Sequence, residues 1–152
     1  MPKALVVYRS KFGNTKAVAE AIAKGINATK KAEAVVKDVK TTKPEEALDY
    51  DALIIGSPNH GGGPAKDIKN FLKKLEKLDL KGKTGAVFDT HAGRNNIRAV
   101  QKMEKQIREK IPGLKLVAPG LATQIKGFLK GPLVEGELLK AEEFGKNISA
   151  KI

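Results

Sequence analysis

Between an apolar run at residues 3–8 and a helical pattern beginning at Thr15 stands the hexapeptide Ser10-Lys11-Phe12-Gly13-Asn14-Thr15. Holding a phosphate without covalent chemistry takes several inward N–H groups and the positive end of a helix, and a glycine-containing turn from strand to helix offers both. Ser10, Asn14 and Thr15 add side-chain donors, and Gly13 permits close backbone approach. The same six residues also read as an ordinary turn in which Thr15 caps the helix, and on the hexapeptide alone the two readings weigh equally. Competing phosphate motifs are absent: there is no Gly-x-x-x-x-Gly-Lys-Ser/Thr, and no Gly-x-Gly-x-x-Gly follows the first apolar run. A phospho-acceptor site would want acidic residues at the end of that run, where the chain has Tyr8, Arg9 and Ser10.

Two further segments have odd composition. One is Ser57-Pro58-Asn59-His60-Gly61-Gly62-Gly63-Pro64, the other Asp89-Thr90-His91-Ala92-Gly93-Arg94-Asn95-Asn96. Three successive glycines let a backbone touch a planar ligand and let a peptide turn over; the plain alternative is a flexible tip. His60 and His91 are the chain's two histidines, one in each segment. Histidine favours functional clefts, against the alternative of two exposed polar residues. Without cysteine or a nearby acidic pair they make an incomplete metal site.

The elements that must position these segments alternate between strand and helix periods. Continuous apolar runs predict strands at residues 3–8, 52–56 and 85–88, with a Val-rich strand at 32–39. A last strand starts near Lys115, is interrupted by Pro119-Gly120 and resumes around residues 121–125. Val18, Ala21, Ile22 and Ile26 fall at helical spacing, with Gly25 and Asn27 marking the end of that helix. Ile68, Phe71, Leu72, Leu75 and Leu78 make a second amphipathic helix with lysines on its outer face, and a short helix is expected at residues 44–48. Ile97, Val100, Met103, Ile107 and Ile111 define another helix, and Leu138, Ala141, Phe144 and Ile148 the last. Residues 57–64, with two prolines and three glycines, read as a loop that can be neither helix nor ladder. Five strands alternating with helices imply a parallel sheet covered on both faces, whose ligands bind outside the carboxyl ends of the strands. The segments at 10–15, 57–64 and 89–96 all follow strands, so they should converge on one edge. No repeat or linker divides the chain, and residues 1–152 read as a single domain.

Composition narrows the chemistry. The 152 residues carry 29 Lys+Arg against 17 Asp+Glu, a formal charge of +12, and contain no cysteine. A disulfide scaffold, a thiolate zinc site, a cysteine-ligated iron–sulfur cluster and a cysteine nucleophile are all ruled out, so a redox role would have to be borrowed from an organic cofactor. No apolar stretch approaches the ~18–20 residues of a membrane span, and the start has no signal-peptide layout, so the expected location is the cytoplasm. The basic charge invites nucleic acid, but the lysines are spread over helices, and Arg9, Arg94, Arg98 and Arg108 form no cluster. With no Trp and only Tyr8 and Tyr50 as tyrosines, base stacking also lacks its platforms. Solvated helix faces, or steering toward acidic partner proteins, account for the charge more simply.

The sequence resembles the flavodoxin family. Val7 to Thr15 followed by Ala19-Glu20-Ala21-Ile22 looks like the family's phosphate loop and first helix, and Ile55-Gly56-Ser57-Pro58 like its second flavin loop. Lys83 to Phe88 is similar to its fourth strand and Leu138 to Ile148 to its closing helix, so the resemblance covers essentially the whole chain. Phe12 departs from the hydroxyl residue of the common short-chain motif, in the manner of quinone-reductase relatives and of flavodoxin modules fused to diiron flavoproteins. The resemblance implies an α/β fold with a five-stranded parallel sheet in the order 2-1-3-4-5 and helices on both faces. It also implies FMN, bound non-covalently, with the phosphate at Ser10, Lys11, Phe12, Gly13, Asn14 and Thr15. The ring would lie between Ser57, Pro58, Asn59, His60, Gly61 and Gly62 on one side and Asp89, Thr90, His91, Ala92, Gly93 and Arg94 on the other. The activity implied is that of an electron carrier between redox proteins; the alternatives are a small FMN-dependent reductase acting on a quinone or similar acceptor, and a flavin-free basic binding module. Two departures stand out: no Trp or Tyr is available in either ring segment, and the chain is basic where flavodoxins are typically acidic. The expected partners therefore have acidic docking surfaces, met by Lys66, Lys69 and Lys73 of the second helix.

Overall fold

Strands β1 (Lys3–Tyr8), β2 (Glu33–Asp38), β3 (Ala52–His60) and β5 (Thr84–His91) pair in parallel in the order β2-β1-β3-β5. They belong to a computed structural model that describes residues 1–93, 97–128 and 130–152. The fifth place in the sheet is filled in two pieces, β6 (Lys115–Leu116) and β7 (Leu121–Gln124), both parallel to β5. The expected core order thus holds, with the fifth strand broken at Pro119-Gly120, where the Gly120 amide bonds the Glu104 carboxylate at 3.0 Å instead of a ladder partner. A two-residue strand, β4 (Gly63–Pro64), pairs antiparallel with the end of β3.

The central strands are covered on both faces, which is why β1, β3 and β5 read as apolar runs. Val6, Ile54 and Phe88 point to one side, where α1 (Asn14–Ala28) and α4 (Glu137–Ser149) bury Val18, Ile22, Ile26 and Ile148. Leu5, Val7, Leu53, Ile55 and Val87 point to the other, against Ile68, Phe71, Leu72 and Leu75 of α2 (Lys66–Leu75) and Met103 and Ile107 of α3 (Arg98–Lys110). The lysines of α2 are exposed, as its spacing requires. The short helix expected at residues 44–48 is present as a 3₁₀ helix over Pro44–Asp49. Among the described residues no helix is long and apolar enough to cross a membrane.

Three expectations are corrected. Gly25 does not end α1: it lies inside the helix, where a Cβ would overlap the Glu142 carbonyl, and Gly145 of α4 meets the Ile22 carbonyl in the same way. The two glycines let α1 and α4 approach backbone to backbone. Residues 57–60 are not loop but the last four of the nine residues of β3, which turns at Gly61-Gly62 (φ +59° and +83°) into β4. Pro58 is tolerated there because the Gly56 carbonyl accepts from the Arg9 amide at 3.2 Å. By the two-residue period of a strand, position 58 faces the same flank, on which β1 has already ended, so its missing N–H costs no ladder bond. Likewise Asp89, Thr90 and His91 continue β5, held by β7 opposite them.

Candidate functional site

At the carboxyl edge of the sheet the first, second and third segments converge on a cavity of ≈ 660 Å³, within the usual range of small-molecule sites. Its first wall is the turn before α1. Gly13 ends the turn in the left-handed conformation (φ 92°), and no side chain caps the helix behind it. The first amides of α1 are therefore left without intrahelical acceptors or a cap, at the positive end of the helix dipole. Ser10 Oγ accepts from the Gly13 amide at 3.0 Å, which leaves its own O–H able to donate. Thr15 is one residue inside the helix and buried, and its hydroxyl lies 2.8 Å from that of Thr90. It ties the first wall to the third instead of capping the helix. Lys11 and Phe12 also face the cavity, with the ammonium 5.4 Å from the centre of the phenyl ring.

The second wall is Pro58, Asn59, His60, Gly61 and Gly62. Ser57 lies beneath it: its hydroxyl accepts from the Ala65 amide at 2.7 Å and donates to the Pro58 carbonyl at 2.8 Å, fastening the hairpin to the start of α2. Both polar atoms of the Asn59 amide are buried with no hydrogen-bond partner. An orphaned amide of this kind costs a few kcal/mol, so its presence points to a ligand with a complementary donor and acceptor. Burial first, and then the positive charges of Arg9 and Lys11, hold the His60 imidazole below its ordinary pKa. Arg9 itself forms an ion pair with Asp67 in the first turn of α2, at 3.0 Å.

The third wall contains Thr90, His91, Ala92 and Gly93. His91 is buried and its Nδ1 has no partner. Asp89 is not on this wall: it is fully buried, one oxygen accepting from the Thr123 amide at 3.3 Å and the other unpartnered. Burial raises its pKa to about 8, so the carboxyl is held protonated at neutral pH. Arg94 lies outside the described residues.

A fourth wall, Ile125, Gly127 and Phe128, escaped the sequence reading. It follows β7, so the strand-end rule that located the other three could have found it. Two cations were missed as well. A Cβ on Gly63 would stand 3.4 Å from Lys102 and 3.9 Å from Lys69, and one on Gly62 would stand 3.3 Å from Arg98. Lysines and arginine from α2 and α3 thus converge on the hairpin tip, and among the described residues neither Lys69 nor Lys102 has an ion-pair partner.

A doubly wound sheet of this order, with an uncapped helix end beside a cavity at the carboxyl ends of its strands, has the architecture of a mononucleotide-binding domain. Comparison with known proteins agrees. A flavodoxin domain model matches residues 5–131. The chain is 34% identical over 114 residues to probable flavodoxin 2 of Bacillus subtilis, covering 72% of this chain and 75% of the relative. It is also 34% identical over 111 residues to an NAD(P)H dehydrogenase (quinone) of Rhizobium meliloti, where it spans only 52% of the relative's length. The solved structure of oxidised flavodoxin 2 from Bacillus cereus superposes with a TM-score of 0.84 at 30% identity, over 99% of both chains. The chain belongs to the flavodoxin family, whose members bind FMN and carry electrons. The site fits that cofactor: an uncapped helix end suits the phosphate, and the unpaired Asn59 amide suits the edge of a ring bearing both N–H and carbonyl groups.

Proposed function

We propose that residues 1–152 act as one domain that holds FMN in this cleft and carries electrons between redox proteins of the cytoplasm. When bound, FMN supplies the capacity to take up and release electrons one at a time. The protein's part is to hold and surround it. The free amides at the start of α1, together with the Ser10 and Thr15 hydroxyls, would grip the phosphate, while Gly13 leaves room for it to approach. Lys11, Phe12 and Asn14 would line its path. The Asn59 amide would pair with the polar edge of the ring, with Pro58, His60, Gly61 and Gly62 on one side and Thr90, His91, Ala92 and Gly93 on the other. Ser57 serves this arrangement from below, by fastening the hairpin.

The observation that carries the reading is the pairing of an uncapped helix end with a buried, unsatisfied Asn59 amide across one cavity. Its test is the visible absorption spectrum of the purified chain after incubation with FMN and removal of free ligand. A retained, perturbed flavin spectrum is expected, and a colourless protein would refute it. We further infer an acidic partner surface, supported by Lys69, Arg98 and Lys102 around the hairpin tip beside the cavity mouth. The kinship with quinone dehydrogenases supports a second reading, a small reductase. Steady-state oxidation of NAD(P)H in the presence of a quinone separates the two.

A further inference from the structure

Phe128 is 80% exposed, yet it lines the cavity. The loop that presents it is pinned on both sides. Ile125 pairs with Leu133, the Lys126 amide bonds the Pro132 carbonyl at 2.6 Å, and the Asn14 side chain bonds the Lys130 carbonyl at 2.9 Å. Residues 127 and 131 are glycines with positive φ (+73° and +77°), so the chain turns sharply on either side of the phenyl ring. At its near end the Ile125 amide bonds the His91 carbonyl at 2.9 Å, which makes this wall continuous with the third. A large apolar ring thus stands at the cavity on a loop pinned to either side of it, while being left out of both hydrophobic cores.

Among the described residues lining the cavity the aromatic rings besides the histidines are Phe12 and Phe128, and Phe12 has the Lys11 ammonium near its ring. Tyr8 is buried in the core, and the chain has no Trp. The stacking surface that the second and third segments lack is therefore available from the fourth. We propose that Phe128 lies against the flavin ring of bound FMN and forms the aromatic wall of the site. The inference rests on the reading that FMN occupies this cleft. A phenyl group has nothing to offer a phosphate, which needs N–H and O–H donors, but it complements the apolar face of a fused ring system.

The test is flavin fluorescence of the reconstituted protein, with binding of FMN and riboflavin measured in parallel. Excited flavin takes an electron from a touching indole and returns it without emitting, whereas phenylalanine is too hard to oxidise to do this. Phe128→Trp is expected to quench the bound flavin several-fold relative to wild type. Phe128→Ala should weaken FMN and riboflavin alike, by about three- to tenfold, because both carry the ring. Neither substitution threatens folding at a side chain that is 80% exposed. Bound FMN that fluoresces equally in wild type and Phe128→Trp would overturn the inference while leaving FMN binding intact. A wild-type chain that retains no FMN would overturn the reading beneath it and this inference together.

Discussion

Asp89 offers a sharp test of the electrostatics beneath the site, through Asp89→Asn. The side chain is fully buried, and its pKa rises from 3.8 to about 8, chiefly through burial, with the Thr123 amide and the Lys140 charge opposing the shift. Between those two pH values the folded protein holds a proton that the unfolded chain has released. Native binding of the extra proton makes stability fall as pH rises, so the contribution of Asp89 is fully present below pH 4, declines to about pH 8 and is constant above. One proton corresponds to about 1.4 kcal/mol per pH unit, and the interval of about four units gives a total on the order of 5 kcal/mol. Asparagine keeps the acceptor for Thr123 but cannot ionise, so Asp89→Asn should gain on wild type steadily from pH 5 to pH 8. Urea unfolding of both apoproteins at half-unit intervals reads the difference. His60, whose pKa is lowered, works with the opposite sign and cancels because both proteins carry it. Parallel stability curves for the two proteins would show that Asp89 titrates alike folded and unfolded, and would refute the reasoning.

If the Thr15 hydroxyl grips the phosphate as proposed, Thr15→Ala removes a donor to a charged group, worth ~1.5–3 kcal/mol, and FMN should bind roughly tenfold more weakly or worse. Riboflavin should be unaffected, and equal losses in a paired titration would sink the phosphate assignment. Gly25→Ala forces the α1 and α4 backbones apart and should cost about 1–3 kcal/mol in urea unfolding; an unchanged midpoint would mean that the helices can part freely. In stopped flow with an acidic redox partner, wild type should slow steeply as salt rises, and Lys69→Glu with Lys102→Glu should be slow even at low salt. A flat salt response and an unchanged rate in that double variant would leave the hairpin cations without a docking role.

Much of the fold was legible because its strands are buried on both faces. Runs such as Leu5 to Val7 and Leu53 to Ile55 admit no polar position, and the spacing of Ile68, Phe71, Leu72 and Leu75 admits one helix face. What stayed hidden depended on contacts distant in sequence. Gly25 looks like a helix end until Glu142 of α4 is placed against it. Pro58 looks like a strand breaker until β1 is seen to stop short of it, and the extension of β5 through His91 needs β7 at its flank. Each error took a local preference for the answer where a tertiary neighbour decided it.

The candidate site divides the same way, and the three glycines at its mouth show why. The composition of residues 61–63 suits a planar ligand, and Gly61 and Gly62 do line the cavity. Gly63 does not: its bare face lies against Lys69 and Lys102, and the flank of Gly62 lies near Arg98. One run of small residues therefore borders two surfaces, the cavity on the inside and long cationic side chains on the outside. The lysine stripe on α2 suggested a basic rim, but Lys69 alone among Lys66, Lys69 and Lys73 comes within 4 Å of a hairpin glycine's missing side chain. The remaining charge arrives from Arg98 and Lys102 of α3, 29 and 33 positions beyond Lys69, and no helical periodicity within α2 could have announced it. Because a Cβ at position 62 or 63 would touch these cations, the hairpin's composition would couple the proposed cleft for the cofactor to the proposed surface for a partner. A substitution at Gly63 should accordingly disturb association with an acidic partner more than it disturbs FMN affinity, whereas one at Gly61, with open space around it, should leave the cation cluster in place.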